Sequence, residues 1–164
     1  MSENVSVSYL DPVEQGSTLT EKAVDVHVID GMEFLARWYH SPYESDLLVW
    51  FDTKGQVARF QLNAGGQIVD WAQDEGLQTG LIIELELGSN ATASDVAETI
   101  RFDRELAEGT LQAARLILGH CTSLKHEVRD FLTRQLDSQA RRKPGINSSR
   151  SRFWGRFKRW TTGA

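Results

Sequence analysis

Two histidines and the only cysteine of the chain lie close together, at His120, Cys121 and His126. Imidazole and thiolate groups are preferred zinc ligands, so a metal site is the first chemistry to weigh. The spacing matches no known zinc ligand set, and the two histidines lie on either side of a predicted turn between helices. A helix dipole explains His120, and burial of a small thiol explains Cys121. The sequence therefore predicts neither a metal nor another cofactor.

A second group of residues that could act in catalysis is a set of carboxylates that flank predicted turns. They are Asp46, Asp52, Asp70, Asp74 and Glu75. Paired carboxylates act as general acid and base when their surroundings separate their pKa values. At turns, hydrogen bonds to the local backbone explain such residues as well. Because no phosphate-loop or nucleophile motif accompanies them, no catalytic residue is predicted and a non-enzymatic role is favoured.

Four aromatic residues of the predicted strand region could line an apolar ligand groove. They are Trp38, Tyr39, Trp50 and Trp71. Ligand sites are commonly apolar and aromatic with a few polar groups, but aromatic residues at strand positions more often fill the core. An enzyme with an unrecognised site in this groove is therefore retained as an alternative function.

The strongest local pattern is the C-terminal sequence SRFWGRFKRW. At 100° per residue, a helix would place Phe153, Trp154, Phe157 and Trp160 on one side. Arg152, Lys158 and Arg159 would lie away from that side, with Arg156 at the border. So short a helix is not stable alone in water and needs a surface to cover its aromatic face. An anionic membrane provides that cover and attracts the basic residues.

This C-terminal pattern is similar to the amphipathic membrane-targeting helices that end bacterial division and cytoskeletal proteins, where a flexible linker joins the helix to a folded domain. The resemblance covers the last dozen residues and implies membrane targeting only. Two other interpretations use the same residues. Basic residues interleaved with aromatic ones can bind single-stranded nucleic acid, or the tail can fold back on an acidic surface of its own body or of a partner.

Charge is divided unevenly along the 164 residues. The segment from Gln139 to Ala164 has eight Arg or Lys residues and no Asp or Glu, so, with a net charge of −5, the remainder carries −13. The N-terminus lacks the features of a signal peptide, and no apolar run is long enough to span a bilayer. The sequence predicts a cytoplasmic protein with an acidic body and a basic arm, docked at the inner face of the cell membrane.

The stretch from Asp46 to Leu87 sets the expected architecture. Apolar runs of strand length alternate with Gly-containing turns such as Asp52–Gly55 and Gly65–Gly66, which predicts an antiparallel meander of about five or six strands. The run Leu47 to Phe51 is apolar on both faces and should be covered on both sides. The sequence MEFLARWY, from Met32, is interpreted as a strand; if it lies at a sheet edge, it could pair two copies into a dimer.

Two C-terminal helices are predicted after the meander, the first beginning at Asp103 and packing on the sheet, and the second capped by Ser123. The fold class is therefore α+β. The predicted boundaries are a disordered segment at 1–22, a single domain at 23–138, a basic flexible linker at 139–151 and the amphipathic helix at 152–161. The favoured function is an adaptor or regulatory module that docks at a membrane through this helix and binds an unidentified protein through its acidic body.

Overall fold

The computed structural model describes residues 10–85 and 97–137 of the chain. A short helix, seven strands and two further helices follow one another in sequence. They are α1 (Pro12–Thr18), β1 (Thr20–Ile29), β2 (Met32–Ser41), β3 (Ser45–Phe51), β4 (Val57–Ala64), β5 (Gln67–Ala72), β6 (Gly76–Leu85), β7 (Ala97–Phe102), α2 (Glu108–Gly119) and α3 (His126–Asp137). The predicted linker at 139–151 and the predicted helix at 152–161 lie outside the described residues.

The seven strands form one antiparallel sheet in the order β1 to β7, so each strand pairs with its neighbours in sequence. Two of the hairpins turn through two residues with positive φ, Asp30–Gly31 and Gly65–Gly66. Such turns match the right-handed twist of the strands they join. The α+β meander with two C-terminal helices is confirmed, with seven strands rather than five or six. β7 is difficult to predict because its apolar residues Ile100 and Phe102 fit either a helical turn or a strand.

The sequence MEFLARWY forms most of β2, as predicted. However, β2 lies between β1 and β3, so it is not an edge of the sheet. Its long run of apolar residues on both sides of the strand suits this interior position. A dimer through β2 required this strand to lie at a sheet edge, and that requirement is not met. In the described sheet, β1 lies at that edge instead.

Residues 10–22 are ordered, which corrects the prediction of a disordered segment over 1–22 for that part of the chain. The side chain of Asp11 accepts a hydrogen bond from the Val13 amide at 3.0 Å, and Pro12 occupies the first helical position. Both are favourable at a helix N-terminus. The helix is short and lacks an apolar repeat, so its stability comes from packing on α2.

Gly16 allows α1 to approach α2 closely, because a Cβ at this position would overlap the backbone carbonyl of Ile117. We expect Gly16→Ala to push the helices apart and to lower the free energy of unfolding by about 1–3 kcal/mol. Urea denaturation followed by circular dichroism measures this change. Gly109→Ala is the matched control, because a Cβ at Gly109 meets nothing within 4 Å. That variant should be neutral or gain up to about 1 kcal/mol; equal losses in both variants would contradict the packing explanation.

Both C-terminal helices start later than predicted. α2 begins at Glu108, while Asp103 instead accepts a hydrogen bond from the Thr79 hydroxyl at 2.7 Å. α3 begins at His126, and the Ser123 hydroxyl donates to the Leu19 carbonyl at 2.6 Å. In each case the polar side chain that could have capped the helix fastens the preceding loop to another element.

The sheet has a helix face, which α2 and α3 cover, and an inner face on its other side. In β3, Leu47 and Val49 belong to the helix-face core, and Leu48 and Trp50 belong to the inner core; all four are fully buried. This confirms that the strand is covered on both sides. Partly buried residues of β2 and of β7 pack against the same inner cluster. The sheet is therefore curled around its inner face.

Candidate functional site

An open groove of about 540 Å³ lies between α3 and the end of the β3–β4 hairpin. Its apolar lining consists of Phe51, Val57, Trp71, Val128 and Phe131. Trp71 is its central ring: Trp71 stacks on Phe60 at 5.9 Å between ring centroids and meets the edge of Phe131 at 5.4 Å. Because these contacts fix the rings before any ligand arrives, the groove is largely preformed, as small binding sites usually are.

α3 supplies one wall of the groove because its apolar stripe is wider than the sheet can cover. Leu132 and Leu136 are fully buried against the sheet. Val128 and Phe131 lie at the border of the stripe, are only partly buried and face the groove. One apolar stripe of α3 therefore contributes side chains both to the core and to the groove.

The rim of the groove is polar and carries a negative charge. Its side chains are Gln56, Gln73, Gln135 and Glu127. The hairpin that carries Gln56 is held rigidly, since the Asp52 carboxylate accepts hydrogen bonds from the amides of Lys54 and Gln56, both at 2.9 Å. Glutamine side chains can both donate and accept hydrogen bonds, so this rim can bind the backbone of an extended peptide. The arrangement suits an apolar side chain in the floor with an uncharged or basic flank.

A second depression, of about 490 Å³, lies on the outward side of α3. It is lined only by polar residues, including His126 and Asp130, whose Nε2 and Oδ2 atoms are 3.2 Å apart. With no apolar floor, it has the character of a solvated helix surface.

The four aromatic residues of the predicted groove do not come together. Tyr39 and Trp71 belong to the helix-face core, whereas Trp50 and Trp38 belong to the inner cluster. The reason is the two-residue period of a strand, which places the neighbouring residues Trp38 and Tyr39 on opposite faces. Of the four, only Trp71 lines the groove at α3.

The inner face holds a buried ion pair that the sequence did not suggest. The Arg59 guanidinium donates to the Asp70 carboxylate at 2.7 Å, and the two side chains are 3% and 0% exposed. The same guanidinium lies 5.7 Å from the centre of the Trp50 ring, and the Trp50 indole donates to Nδ1 of His27 at 3.1 Å. Asp70 is therefore a core residue of β5 rather than a turn residue. The contacts among Asp70, Arg59, Trp50 and His27 therefore connect β5, β4, β3 and β1.

A histidine–carboxylate pair at the end of the β2–β3 hairpin is partly accessible to solvent. Asp46 bonds His40 at 2.7 Å and accepts a hydrogen bond from the Trp38 indole at 2.9 Å. A carboxylate that orients an imidazole is a common element of general-base catalysis. The next residues in the same cross-strand row are Asn63 and Ile68, neither of which is a nucleophile. The pair therefore fixes the end of the β2–β3 hairpin without assembling a nucleophile–base set.

The residues first weighed as metal ligands have separate partners. Cys121 is buried in the helix-face core, and burial raises the pKa of its thiol. The His120 ring bonds the Leu116 carbonyl at 2.8 Å, and His126 pairs with Asp130. Burial also raises the pKa of Tyr39 to about 12. Cys121 and Tyr39 therefore stay protonated at neutral pH and act as packing residues.

The predicted tail residues all lie outside the described part of the chain. They are Arg152, Phe153, Trp154, Arg156, Phe157, Lys158, Arg159 and Trp160. Within residues 10–85 and 97–137, no helix is long and apolar enough to cross a membrane. No family model, curated protein or solved structure matches this chain.

Proposed function

We propose that this protein is a non-enzymatic adaptor that docks reversibly at the cytoplasmic face of the cell membrane and binds a segment of a partner protein. Docking uses the basic-aromatic tail at 152–160, and partner binding uses the groove at α3. The division of charge, +8 after residue 138 and −13 before it, supports separate surfaces for the anionic membrane and the partner.

The observation that carries this proposal is that α3 both lines the groove and ends next to the predicted linker. The helix forms one wall of the groove and ends at Asp137, next to the start of the predicted linker. Arg115 of α2 bonds Asp137 at 2.8 Å, which holds the end of α3 on α2. Fourteen residues lie between Asp137 and Arg152, so a flexible linker would span about 20 Å. A partner segment in the groove would therefore be held close to the membrane.

The lining of the groove indicates which segment fits. Its floor of Trp71, Phe131 and Val128 favours a large apolar side chain, and the three glutamines of the rim favour an extended backbone. Glu127 at the rim favours a basic residue beside the apolar one. The proposed ligand is thus a peptide segment with a central Trp, Phe or Leu next to Lys or Arg. The chain's own tail has this composition, so occupation of the groove by the tail is the competing outcome.

Phe131→Ala tests the groove. We expect this change to weaken binding of such peptides at least tenfold, because it removes the ring that contacts Trp71 and closes one wall. The measurement is fluorescence anisotropy with a pool of labelled, net-neutral decapeptides that carry a central Trp or Phe beside one Lys. The protein is the full chain with Phe153, Trp154, Phe157 and Trp160 changed to Ser, which keeps the tail from competing.

Leu116→Ala is the matched control, because Leu116 is a half-exposed apolar residue of α2 that does not line the groove. It should bind peptides as the parent does. Equal affinity of the Phe131→Ala variant and the parent would refute the groove as the binding site. Stronger peptide binding by the tail variant than by the wild-type chain would show that the tail itself occupies the groove.

Nucleic-acid binding is the second candidate function, favoured by the alternation of basic and aromatic residues over 152–160. It predicts that the tail retains single strands and that retention falls steeply as salt rises. The acidic body opposes contact beyond the tail. A tail that retains single strands at 150 mM salt (about physiological ionic strength) but does not bind anionic vesicles would replace the membrane proposal.

A further inference from the structure

β1 is a long edge strand with one side open. It covers ten residues, Thr20–Ile29, and pairs only with β2 within the described sheet. An exposed edge of this length is a template for pairing with another strand, and proteins usually shorten or shield such edges.

The surface beside this edge contains an apolar strip, bordered on β2 by Glu33 and Arg37. Val24, Val26 and Val28 point to the helix face and are 48%, 54% and 51% exposed. Leu35 of β2 lies opposite Val26 and extends the patch. α2 and α3 cover the strands further along the sheet, so the apolar alternation of β1 continues past the region that the helices bury. An alternation of this kind normally faces a covering surface.

The backbone of Val26 faces outward. Its amide donates to the Asp25 carboxylate at 2.8 Å. Ile29 and Met32 close a two-residue turn as a hydrogen-bonded pair, so Val26, three residues before Ile29, directs its amide and carbonyl away from β2. Since the hydrogen-bonding direction alternates along a strand, Val24 and Val28 also direct their amide and carbonyl groups to the outer edge. Three successive outward positions can thus make six hydrogen bonds with a second strand in the same arrangement.

We propose that β1 pairs with β1 of a second copy of this chain, in antiparallel register centred on Val26. This register places Val26 beside Val26 and Val24 beside Val28 of the second copy, all on the helix face of one continuous sheet. Lys22, at the β-bulge between Glu21 and Ala23, and Asp30 of the second copy, in its hairpin turn, would approach each other at both ends of the contact. A register centred on Asp25 would instead place Val28 opposite Lys22, and one centred on His27 would place Val24 opposite Asp30. The Val26 register avoids both mismatches and is therefore favoured by apolar contacts and by charge.

The interface is symmetric, as homodimer interfaces usually are. On pairing, the Val26 amide would leave the Asp25 carboxylate for the Val26 carbonyl of the second copy. Because only a strand edge and a small apolar patch are buried, we expect association in the micromolar range. The inference is independent of the proposed function. A dimer would carry two tails, which would strengthen any contact that the tail makes with an extended surface.

Cysteine cross-linking tests the register directly. In a hydrogen-bonded antiparallel pair the two Cα atoms of residue 26 would be about 5.5 Å apart, within reach of a disulfide. Val26→Cys should therefore form a disulfide-linked dimer under mild oxidation. Val24→Cys alone should not, because its two copies would be about 13 Å apart along the strand. Mixing Val24→Cys with Val28→Cys should restore cross-linking. The wild-type chain is the background control, since Cys121 is buried.

Val26→Lys provides a test that needs no cross-linking. It would place two like charges side by side at the symmetry axis, and we expect a loss of dimer of at least tenfold in sedimentation equilibrium, with an unchanged thermal midpoint at concentrations where the wild-type chain is monomeric. Leu116→Lys, at a similarly exposed position on α2, should leave the dimer intact. A wild-type chain that stays monomeric up to about 200 µM, or equal cross-linking of Val24→Cys and Val26→Cys, would overturn the proposal.

Discussion

Replacing Asp70 by Ala is expected to lower the free energy of unfolding by about 3–5 kcal/mol. Asp70 and its partner Arg59 are almost completely buried, and the change would leave the guanidinium in the inner core without the carboxylate that balances it. A buried charge without its counterion is among the most costly single defects in a fold. Urea denaturation followed by circular dichroism gives the change directly, with the midpoint lowered and the slope unchanged.

A double variant separates the ion pair from simple loss of packing. Arg59→Met with Asp70→Leu removes both charges and keeps apolar volume, so we expect it to unfold less readily than Asp70→Ala alone. Glu33→Ala, at an exposed position of β2, is the surface control and should change stability by about 0.5 kcal/mol or less. If Asp70→Ala and Glu33→Ala gave the same small loss, the buried Arg59–Asp70 pair would not be important for stability.

Changing the four tail aromatics to Ser is expected to reduce binding to anionic vesicles by about two orders of magnitude or more. The residues are Phe153, Trp154, Phe157 and Trp160. Burial of a large apolar side chain contributes roughly 1.5 kcal/mol or more, and each tenfold change corresponds to about 1.4 kcal/mol, so loss of the four side chains is large enough for a decrease of this size. Flotation of the full chain with vesicles of mixed neutral and anionic lipid measures the bound fraction.

Two comparisons define the contribution of charge to this binding. Neutral vesicles should float little of the wild-type chain, because the basic residues lose the roughly 1 kcal/mol that each gains near an anionic surface. Raising the salt concentration should weaken binding to anionic vesicles for the same reason. Equal flotation of the wild-type chain and the serine variant would exclude the aromatic face as the docking element.

Much of the sheet could be predicted because its signals are local. The turns at Gly55 and Gly65–Gly66 and the alternation in β4 and β6 each depend on a few neighbouring residues. The sequence-based predictions were wrong for elements whose position depends on tertiary packing. α1 is short, and Gly16 lets it pack closely on α2. Asp103 accepts a hydrogen bond from Thr79 instead of capping α2. No local pattern carries that information.

The site was harder to predict than the fold, for a geometric reason. Trp71 is common to the predicted groove and the observed one, but its partners Val128 and Phe131 are more than fifty residues away in sequence. The apolar stripe of α3 was visible in the sequence, whereas the part of the stripe that the sheet leaves uncovered depends on how α3 packs. Likewise, Arg59 and Asp70 are separated by the β4–β5 turn, and only the register of the two strands brings them together.

The most direct measurement for the adaptor proposal is co-flotation of a labelled groove peptide, net neutral and unable to bind vesicles itself, with the full chain and anionic vesicles. We predict that the wild-type chain carries the peptide into the vesicle fraction. The tail-serine variant should leave both protein and peptide behind, and Phe131→Ala should float while losing most of the peptide. Peptide that floats equally well with the Phe131→Ala variant, or wild-type protein that floats without any peptide, would contradict the account.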